Sequence, residues 1–264
     1  IFQSPTLDRP LDRISPWLDM LTRPLDEVAG DLRAQTHRRF IKTHTPLDGL
    51  PYDERVTYIC VGRDPRDVAV SWDNHRSNQD RGAMLRARSL VLGDGDGPPG
   101  SPDPLRRPES PYDRFWAWVD DPTPPAQAAC TLRLTMHHLQ TFWAVRDRPN
   151  IVMLHYSDLI ADLDGQMRRL AERLGIAVVE ERWASLVDAA SLSYMRAHAD
   201  DLAPNVTEGI WRHNESFFRQ ATMGQWRDLL DRDDLRRYRR RVDALTSVDC
   251  TGWAHRDPSW STPP

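Results

Sequence analysis

The chain has 264 residues, of which 39% are hydrophobic, and its 35 basic and 39 acidic residues give a formal net charge of -4. This composition predicts a soluble globular protein with a sizeable core. Without a strong overall charge, nucleic acid is not an expected partner, and any anion site must be local. No stretch approaches the roughly 18 to 20 apolar residues of a membrane span, and nothing at the amino terminus resembles a signal peptide.

Three short apolar runs predict buried parallel strands: Phe40-Ile41, Val56 to Val61, and Ile151 to Leu154. A helical pattern covers residues 126 to 147, and a later one is expected to end at Gly175 in the C′ position. Strands alternating with helices predict an α/β fold with a mainly parallel sheet. Ligands of such sheets bind beyond the carboxyl ends of the strands.

The segment 93–111 is rich in glycine, proline and aspartate, and we predict a flexible loop there. It is either a disordered insertion or a lid over the acceptor site.

The three cysteines, Cys60, Cys130 and Cys250, are widely spaced, odd in number and without a CxxC pair. This pattern favours a reducing compartment, and we expect a cytoplasmic protein without a cysteine metal site. Cys60 lies inside an apolar run, so we interpret it as a small core residue rather than a nucleophile.

The strongest local signal follows the second predicted strand, in residues 61 to 71, VGRDPRDVAVS. Asp64 is a natural N-cap, Pro65 suits the first helical position, and Asp67 completes a first turn that resembles a capping box. The free N–H groups of this helix end favour an anion. Arg63 and Ser71 could hold a phosphate there. The alternative is a surface arginine paired with Asp67 and a helical serine without a ligand.

A second signal is the segment Lys42-Thr43-His44-Thr45-Pro46, which follows the first predicted strand and contains the only lysine of the chain. A histidine there could accept a proton from a hydroxyl, and Lys42 could stabilise charge on oxygens in transfer. The alternatives are a structural histidine and a lysine retained by chance.

Taken together and in this order, the two segments resemble the cytosolic-type sulfotransferase family, whose members carry KTH(x)P followed by R-(N/D)-P-(K/R)-D-x-x-x-S. Further matches are LHYSDL at 154–159, ASLSYMR at 190–196 and FFRQATMGQWR at 217–227. The resemblance implies a P-loop-like three-layer α/β fold, with a central, mainly parallel sheet and helices on both faces. It also implies that residues 1–264 form a single sulfotransferase domain.

The resemblance implies transfer of a sulfonate group from 3′-phosphoadenosine 5′-phosphosulfate to an acceptor hydroxyl, without a metal. It gives His44 the role of general base and places Lys42 against the transferring sulfonate. The donor's 3′-phosphate and adenine are expected at Arg63, Ser71, Tyr156, Ser191, Arg219, Gln220 and Ala221.

The chain departs from the family pattern at several positions. The loop that cradles the 5′-phosphosulfate has no counterpart in the sequence, so we expect the chain to begin after it or to omit it. Gln220 and Ala221 replace a family Lys-Gly pair, and Leu192 replaces a phenylalanine. The family's dimerisation segment has no clear match near Asp231, so the oligomeric state stays open.

Segments 15–19, 38–49 and 209–211 look most like bacterial glycolipid sulfotransferases, so the expected acceptor is a glycolipid or another small molecule. The basic run 236–241 is either a solvated helix face balanced by Asp231, Asp233 and Asp234 or a contact with an anionic membrane surface. His137-His138 is expected to serve packing rather than a metal.

Two other functions stay open from sequence. One is a nucleotide-binding module that holds the 3′,5′-bisphosphate without catalysis. The other is a P-loop kinase, although the sequence shows no GxxxxGK(S/T) motif.

Overall fold

The structure is a computed structural model that describes residues 4–92 and 107–256. These residues form two compact units, described separately below. The first unit contains residues 4–44, 77–92 and 160–221, and the second contains 45–76, 107–159 and 222–256. Most of the predicted loop 93–111 lies outside the described residues, and the single domain remains a prediction.

The described helices are, in chain order, α1 (Leu11–Ile14), α2 (Leu25–Ala34), α3 (Pro65–Asn78), α4 (Arg81–Leu92), α5 (Pro111–Val119), α6 (Leu132–Trp143), α7 (Tyr156–Ala161), α8 (Leu163–Arg173), α9 (Glu180–Ala189), α10 (Leu192–Ala197), α11 (Ala199–Leu202), α12 (Arg232–Asp243) and α13 (Val248–His255). Short 3₁₀ turns cover Leu47–Gly49, Asn214–Phe217 and Gln225–Asp228. In the described part of the chain, no helix has the length and apolar character needed to cross a membrane.

Among the described residues, the sheet of the second unit has two parallel strands, β1 (Tyr58–Gly62) and β2 (Ile151–His155). Tyr58 pairs with Ile151 at one end and Gly62 with His155 at the other. Both strands were predicted, with boundaries that differ by one or two residues. The parallel pair and the surrounding helices confirm the α/β class.

The prediction of a strand at Phe40-Ile41 is wrong, since neither of these described residues lies in a strand. In the first unit this part of the chain forms only an isolated parallel bridge, between Trp17 and Lys42. The apolar run has two residues, which is shorter than the roughly 3 to 10 residues of a typical strand.

Two apolar clusters form the core of the second unit. One joins helices α5, α6 and α12 through Trp116, Met136, Tyr238 and neighbouring side chains. The other packs β1 and β2 against α6 and α13, and it includes Cys60. Burial, together with the charge of Cys250, raises the pKa of the Cys60 thiol to about 12. Cys60 is therefore a core residue, as predicted.

Helix ends follow local signals closely. Helix α6 begins later than predicted because Thr131 caps it, accepting a hydrogen bond from the backbone N–H of Leu134. Helix α8 is followed by Gly175 at φ +64°. The N–H of Gly175 donates to the Glu172 carbonyl and that of Ile176 to the Ala171 carbonyl, which is a Schellman motif.

Candidate active site

In the first unit, the bridge between Trp17 and Lys42 places residues 15–19 beside residues 42–44. The N–H of Lys42 donates to the Pro16 carbonyl at 2.9 Å, and the N–H of Leu18 donates to the Lys42 carbonyl at 3.0 Å. These two hydrogen bonds fix the position of the His44 backbone relative to Asp19.

Asp19 holds His44 through both its backbone and its ring. One carboxylate oxygen accepts the His44 backbone N–H at 2.5 Å, and the other lies 3.3 Å from Nδ1 of the ring. Thr43 Oγ1 also donates to Asp19, at 2.9 Å. Because an ionised carboxylate only accepts, Nδ1 carries the proton, and in the neutral form of the ring Nε2 then has the free lone pair. The arrangement suits a general base.

The ionisation of Asp19 supports this tautomer. Partial burial opposes ionisation, but the hydrogen bonds and charge of His44 more than offset it and lower the pKa of Asp19 to about 2. The carboxylate is therefore ionised at neutral pH.

Trp17 contacts both predicted catalytic residues. Its ring stacks on the His44 ring with centroids 4.2 Å apart and an interplanar angle of 6°. The Lys42 ammonium lies 5.2 Å from the Trp17 centroid, within cation–π range. Burial lowers the pKa of Lys42, and the nearby charge of Asp12 opposes this shift. The structure thus brings Lys42 and His44 to one aromatic side chain.

In the second unit, the start of helix α3 is built largely as predicted. Pro65 is its first residue, and Asp64 accepts the backbone N–H of Arg66 at 2.9 Å. The Arg66 guanidinium also pairs with Asp64 at 2.6 Å and lies 3.8 Å from the Trp226 ring centroid. This buried pair fixes the cap.

Asp67 does not complete a capping box within α3. Its carboxylate is fully buried and accepts the backbone N–H groups of Gly224 at 2.8 Å and Gln225 at 2.9 Å. Burial raises the pKa of Asp67, and these N–H groups oppose the rise. Gly224 has φ +78°, a conformation that glycine adopts readily. Asp67 therefore anchors the segment after residue 222 to helix α3.

Arg63 lies just before α3 with its guanidinium over the Tyr156 ring, 4.6 Å from the centroid. One terminal nitrogen donates to the Thr222 carbonyl at 3.4 Å, while the buried Nε has no partner. The structure therefore brings the predicted donor residues Arg63 and Tyr156 together. Ser71 is half-buried further along α3 in the same unit.

The remaining predicted donor residues lie in the first unit. Ser191 caps helix α10, because its Oγ accepts the Tyr194 N–H at 3.1 Å. Arg196 of that helix donates to the carbonyls of Phe218 and Arg219. These two hydrogen bonds hold the backbone directly before Gln220 and Ala221.

Sequence reasoning assigned no role to Trp17 or Asp19. The segment 15–19 matched the glycolipid sulfotransferase pattern, and that match was the available signal. The spacing of residues along the sequence could not reveal the contacts of Trp17 and Asp19 with His44, because these depend on the bridge between Trp17 and Lys42.

Most arginines of the basic run 236–241 on α12 form ion pairs with aspartates. Asp120 binds Arg237 at 2.5 Å and Arg241 at 2.7 Å, and Arg236 pairs with Asp233. Asp231 and Asp234 form a capping box at the start of the helix.

Within residues 4–92 and 107–256, no group of three or more histidine, cysteine, aspartate or glutamate side chains could hold a metal ion. His137 instead contacts Asp48, at 2.9 Å.

Comparison with known proteins identifies the family of the chain. The sulfotransferase domain family matches residues 2–247. Glycolipid sulfotransferases of Mycobacterium bovis and Mycobacterium tuberculosis are 42% identical over 265 residues, covering 97% of this chain and 81% of each relative.

Two solved structures share the fold. Retinol dehydratase in complex with androsterone and inactive cofactor PAP matches with a TM-score of 0.58 and 25% identity, over 84% of this chain and 58% of that chain. Mouse sulfotransferase SULT7A1 complexed with PAP matches with a TM-score of 0.63 and 16% identity, over 90% of this chain and 78% of that chain.

The parallel strands flanked by helices place the chain in the α/β class. The chain belongs to the sulfotransferase family. The prediction of a sulfotransferase is confirmed.

Proposed function

We propose that the protein transfers a sulfonate group from 3′-phosphoadenosine 5′-phosphosulfate to a hydroxyl of a glycolipid sugar. The family membership and the names of the mycobacterial relatives support this activity and acceptor class. The PAP in both structural neighbours supports the donor, because PAP is the product that remains after sulfonate transfer.

The observation that carries the mechanism is the contact between Asp19 and His44. With its Nδ1 proton held by Asp19, His44 uses Nε2 to take the proton of the acceptor hydroxyl. The acceptor oxygen forms a bond to sulfur, and the bond between sulfur and the 5′-phosphate oxygen breaks with its electron pair staying on that phosphate. PAP and the sulfated acceptor are the products.

Lys42 stabilises the sulfonate oxygens during this step. Its side chain is half-buried beside Trp17, and a charge that is partly removed from water interacts more strongly with a nearby anion. A compact ammonium suits oxygens that move during transfer, since it needs no fixed planar geometry.

Arg63 binds the 3′-phosphate of the donor in this proposal. Tyr156 supports the guanidinium from its ring face, and the buried Nε of Arg63 offers a donor that no described acceptor takes. Ser71, Ser191, Arg219, Gln220 and Ala221 are assigned to the donor by the family resemblance.

The test replaces His44 with alanine. We expect kcat to fall by about 100-fold or more, because the ring acts as a base, with PAP affinity unchanged. The ring is 58% exposed, so the loss of its contact with Asp19 should lower the melting temperature by only a few degrees. Radiolabelled sulfonate transfer, calorimetry with PAP and thermal melting measure the three quantities.

His213→Ala is the matched control, because His213 is also exposed in the first unit. A His44→Ala protein that transfers sulfonate at the wild-type rate would refute the proposed base. A variant that loses stability and PAP affinity together would identify His44 as a structural residue.

A further inference from the structure

The carboxylate of Asp67 is a buried ionisable group to which the proposed mechanism gives no role. Asp67 lies in the first turn of α3, one helical turn after Arg63 in sequence, and its side chain is fully buried. Burial of a carboxylate is unfavourable unless hydrogen bonds or opposite charges compensate for the lost hydration. The partners of Asp67 therefore indicate what the residue does.

These partners are backbone N–H groups of a segment that is distant in sequence. One carboxylate oxygen accepts the N–H of Gly224 at 2.8 Å, and the other accepts the N–H of Gln225 at 2.9 Å. Both oxygens must act as acceptors, which an ionised carboxylate allows and a side-chain amide does not. The contact therefore requires an acidic side chain, and shape alone would not preserve it.

The anchored segment, residues 222–225, also contacts Arg63. The Thr222 carbonyl accepts a hydrogen bond from a terminal nitrogen of Arg63 at 3.4 Å, and another from the Gln225 side-chain amide at 3.3 Å. The Arg63 guanidinium lies 4.6 Å from the centroid of the Tyr156 ring. Its orientation therefore depends on an aromatic ring and on a carbonyl of the anchored segment.

The charges of Asp67 and Arg63 also attract each other. Burial raises the pKa of Asp67, the neighbouring charge of Asp64 adds to this rise, and the charge of Arg63 opposes it. Asp64 itself pairs with Arg66 at 2.6 Å. Because the attraction acts on both partners, it also holds the Arg63 guanidinium near the start of α3.

We propose that Asp67 is a positioning residue for the binding of the donor's 3′-phosphate. It fixes residues 222–225, and the Thr222 carbonyl of this segment, together with the charge of Asp67, sets the orientation of Arg63. A guanidinium that is already oriented loses less conformational freedom when it binds the phosphate. This inference rests on the proposed function, in which Arg63 binds that phosphate.

Asp67→Asn is the first test, because it keeps the shape of the side chain. Its amide oxygen can accept one backbone N–H, but its NH₂ group then faces the other N–H, so the anchor is lost. We expect PAP affinity to fall at least about tenfold and 5′-AMP affinity to stay within about twofold, since only PAP carries a 3′-phosphate. Calorimetry on the full chain, well below the melting temperature of each variant, measures both affinities.

Gly224→Ala disturbs the same anchor without changing Asp67. Gly224 has φ +78°, and a Cβ there would collide with the Arg227 guanidinium, so the segment must shift. We expect PAP affinity to fall relative to 5′-AMP affinity, as in Asp67→Asn. Gly175→Ala is the matched control, because Gly175 has φ +64° with no atom within 4 Å of an added Cβ. It should lower the melting temperature and leave the ratio of the two affinities unchanged.

A double variant separates a positioning role from a general loss of stability. If Asp67 acts through Arg63, the protein with both Arg63→Ala and Asp67→Asn should bind PAP about as weakly as Arg63→Ala alone. Losses that add in the double variant would contradict the proposal, because they would show that Asp67 affects PAP binding independently of Arg63.

A folded Asp67→Asn protein that keeps the wild-type ratio of PAP to 5′-AMP affinity would overturn the proposal, and so would equal losses for both nucleotides. If Asp67→Asn does not fold, the same ratio in Gly224→Ala decides. A different result, wild-type protein that binds PAP and 5′-AMP equally, would remove the donor site of the proposed function and the role of Asp67 with it.

Discussion

Replacement of Asp19 with asparagine should disable His44 without removing it. Asp19 accepts the His44 backbone N–H, faces Nδ1 of its ring and accepts the Thr43 hydroxyl. An amide keeps the shape but can present its NH₂ group to Nδ1, which favours the tautomer with the proton on Nε2. That tautomer cannot accept the acceptor's proton, so we expect kcat to fall about 100-fold or more.

The same substitution has a stability effect that depends on pH. A pKa lowered from 3.8 to about 2 corresponds to about 2 kcal/mol in favour of the folded state. Because a quarter of the Asp19 side chain is exposed, screening reduces this to about 1 kcal/mol. The contribution is present above about pH 4 and disappears as the pH falls towards 2, so the stability difference between wild type and variant should shrink over that range.

The assay measures kcat, PAP affinity and urea unfolding at pH 7 and pH 3. Asp164→Asn serves as control, since Asp164 pairs with Arg168 elsewhere in the first unit. An Asp19→Asn protein with the wild-type kcat would refute the tautomer argument.

Two further predictions concern the second unit. Arg63→Ala should weaken PAP binding at least tenfold and 5′-AMP binding much less, because a charge-assisted contact to the 3′-phosphate is lost; equal losses in calorimetry would contradict this. Gly62→Ala should destabilise the protein by about 1 to 3 kcal/mol, because the new Cβ would lie 2.4 Å from Cη2 of Trp253. Gly30→Ala, inside α2 with nothing within 4 Å, should be neutral or stabilising in the same thermal melts, and equal effects would refute the packing argument.

The features predicted correctly from sequence are those whose contacts are local. Asp64 caps the N–H of Arg66, Pro65 starts α3, and Gly175 takes the left-handed conformation after α8. Each of these depends on residues within one or two helical turns. The apolar runs at β1 and β2 were long enough to be recognised as strands, but the expected burial on both faces is wrong for β1, where Ile59 is 41% and Val61 54% exposed.

The predictions that were wrong concern contacts between segments that are distant in sequence. By its position in the first turn of α3, Asp67 was predicted to cap that helix. In the structure its carboxylate accepts the backbone N–H groups of Gly224 and Gln225 instead. Phe40-Ile41 resembled a strand by composition, yet the chain there pairs with Trp17 at a single bridge. Residue spacing does not reveal that Asp67 binds the backbone at residues 224 and 225, or that Lys42 pairs with Trp17. The long segments between these positions do not fix how far apart they lie in the structure.

The site at His44 depends on both kinds of information. The family resemblance identifies His44 and Lys42, but a sequence motif does not say which ring nitrogen carries the proton. That is decided by Asp19, which reaches His44 because the bridge between Trp17 and Lys42 brings the two segments together. The same bridge holds Trp17, whose ring stacks on His44 and lies within cation–π range of Lys42. Substitutions in residues 15–19 should therefore alter proton transfer even where His44 itself is unchanged.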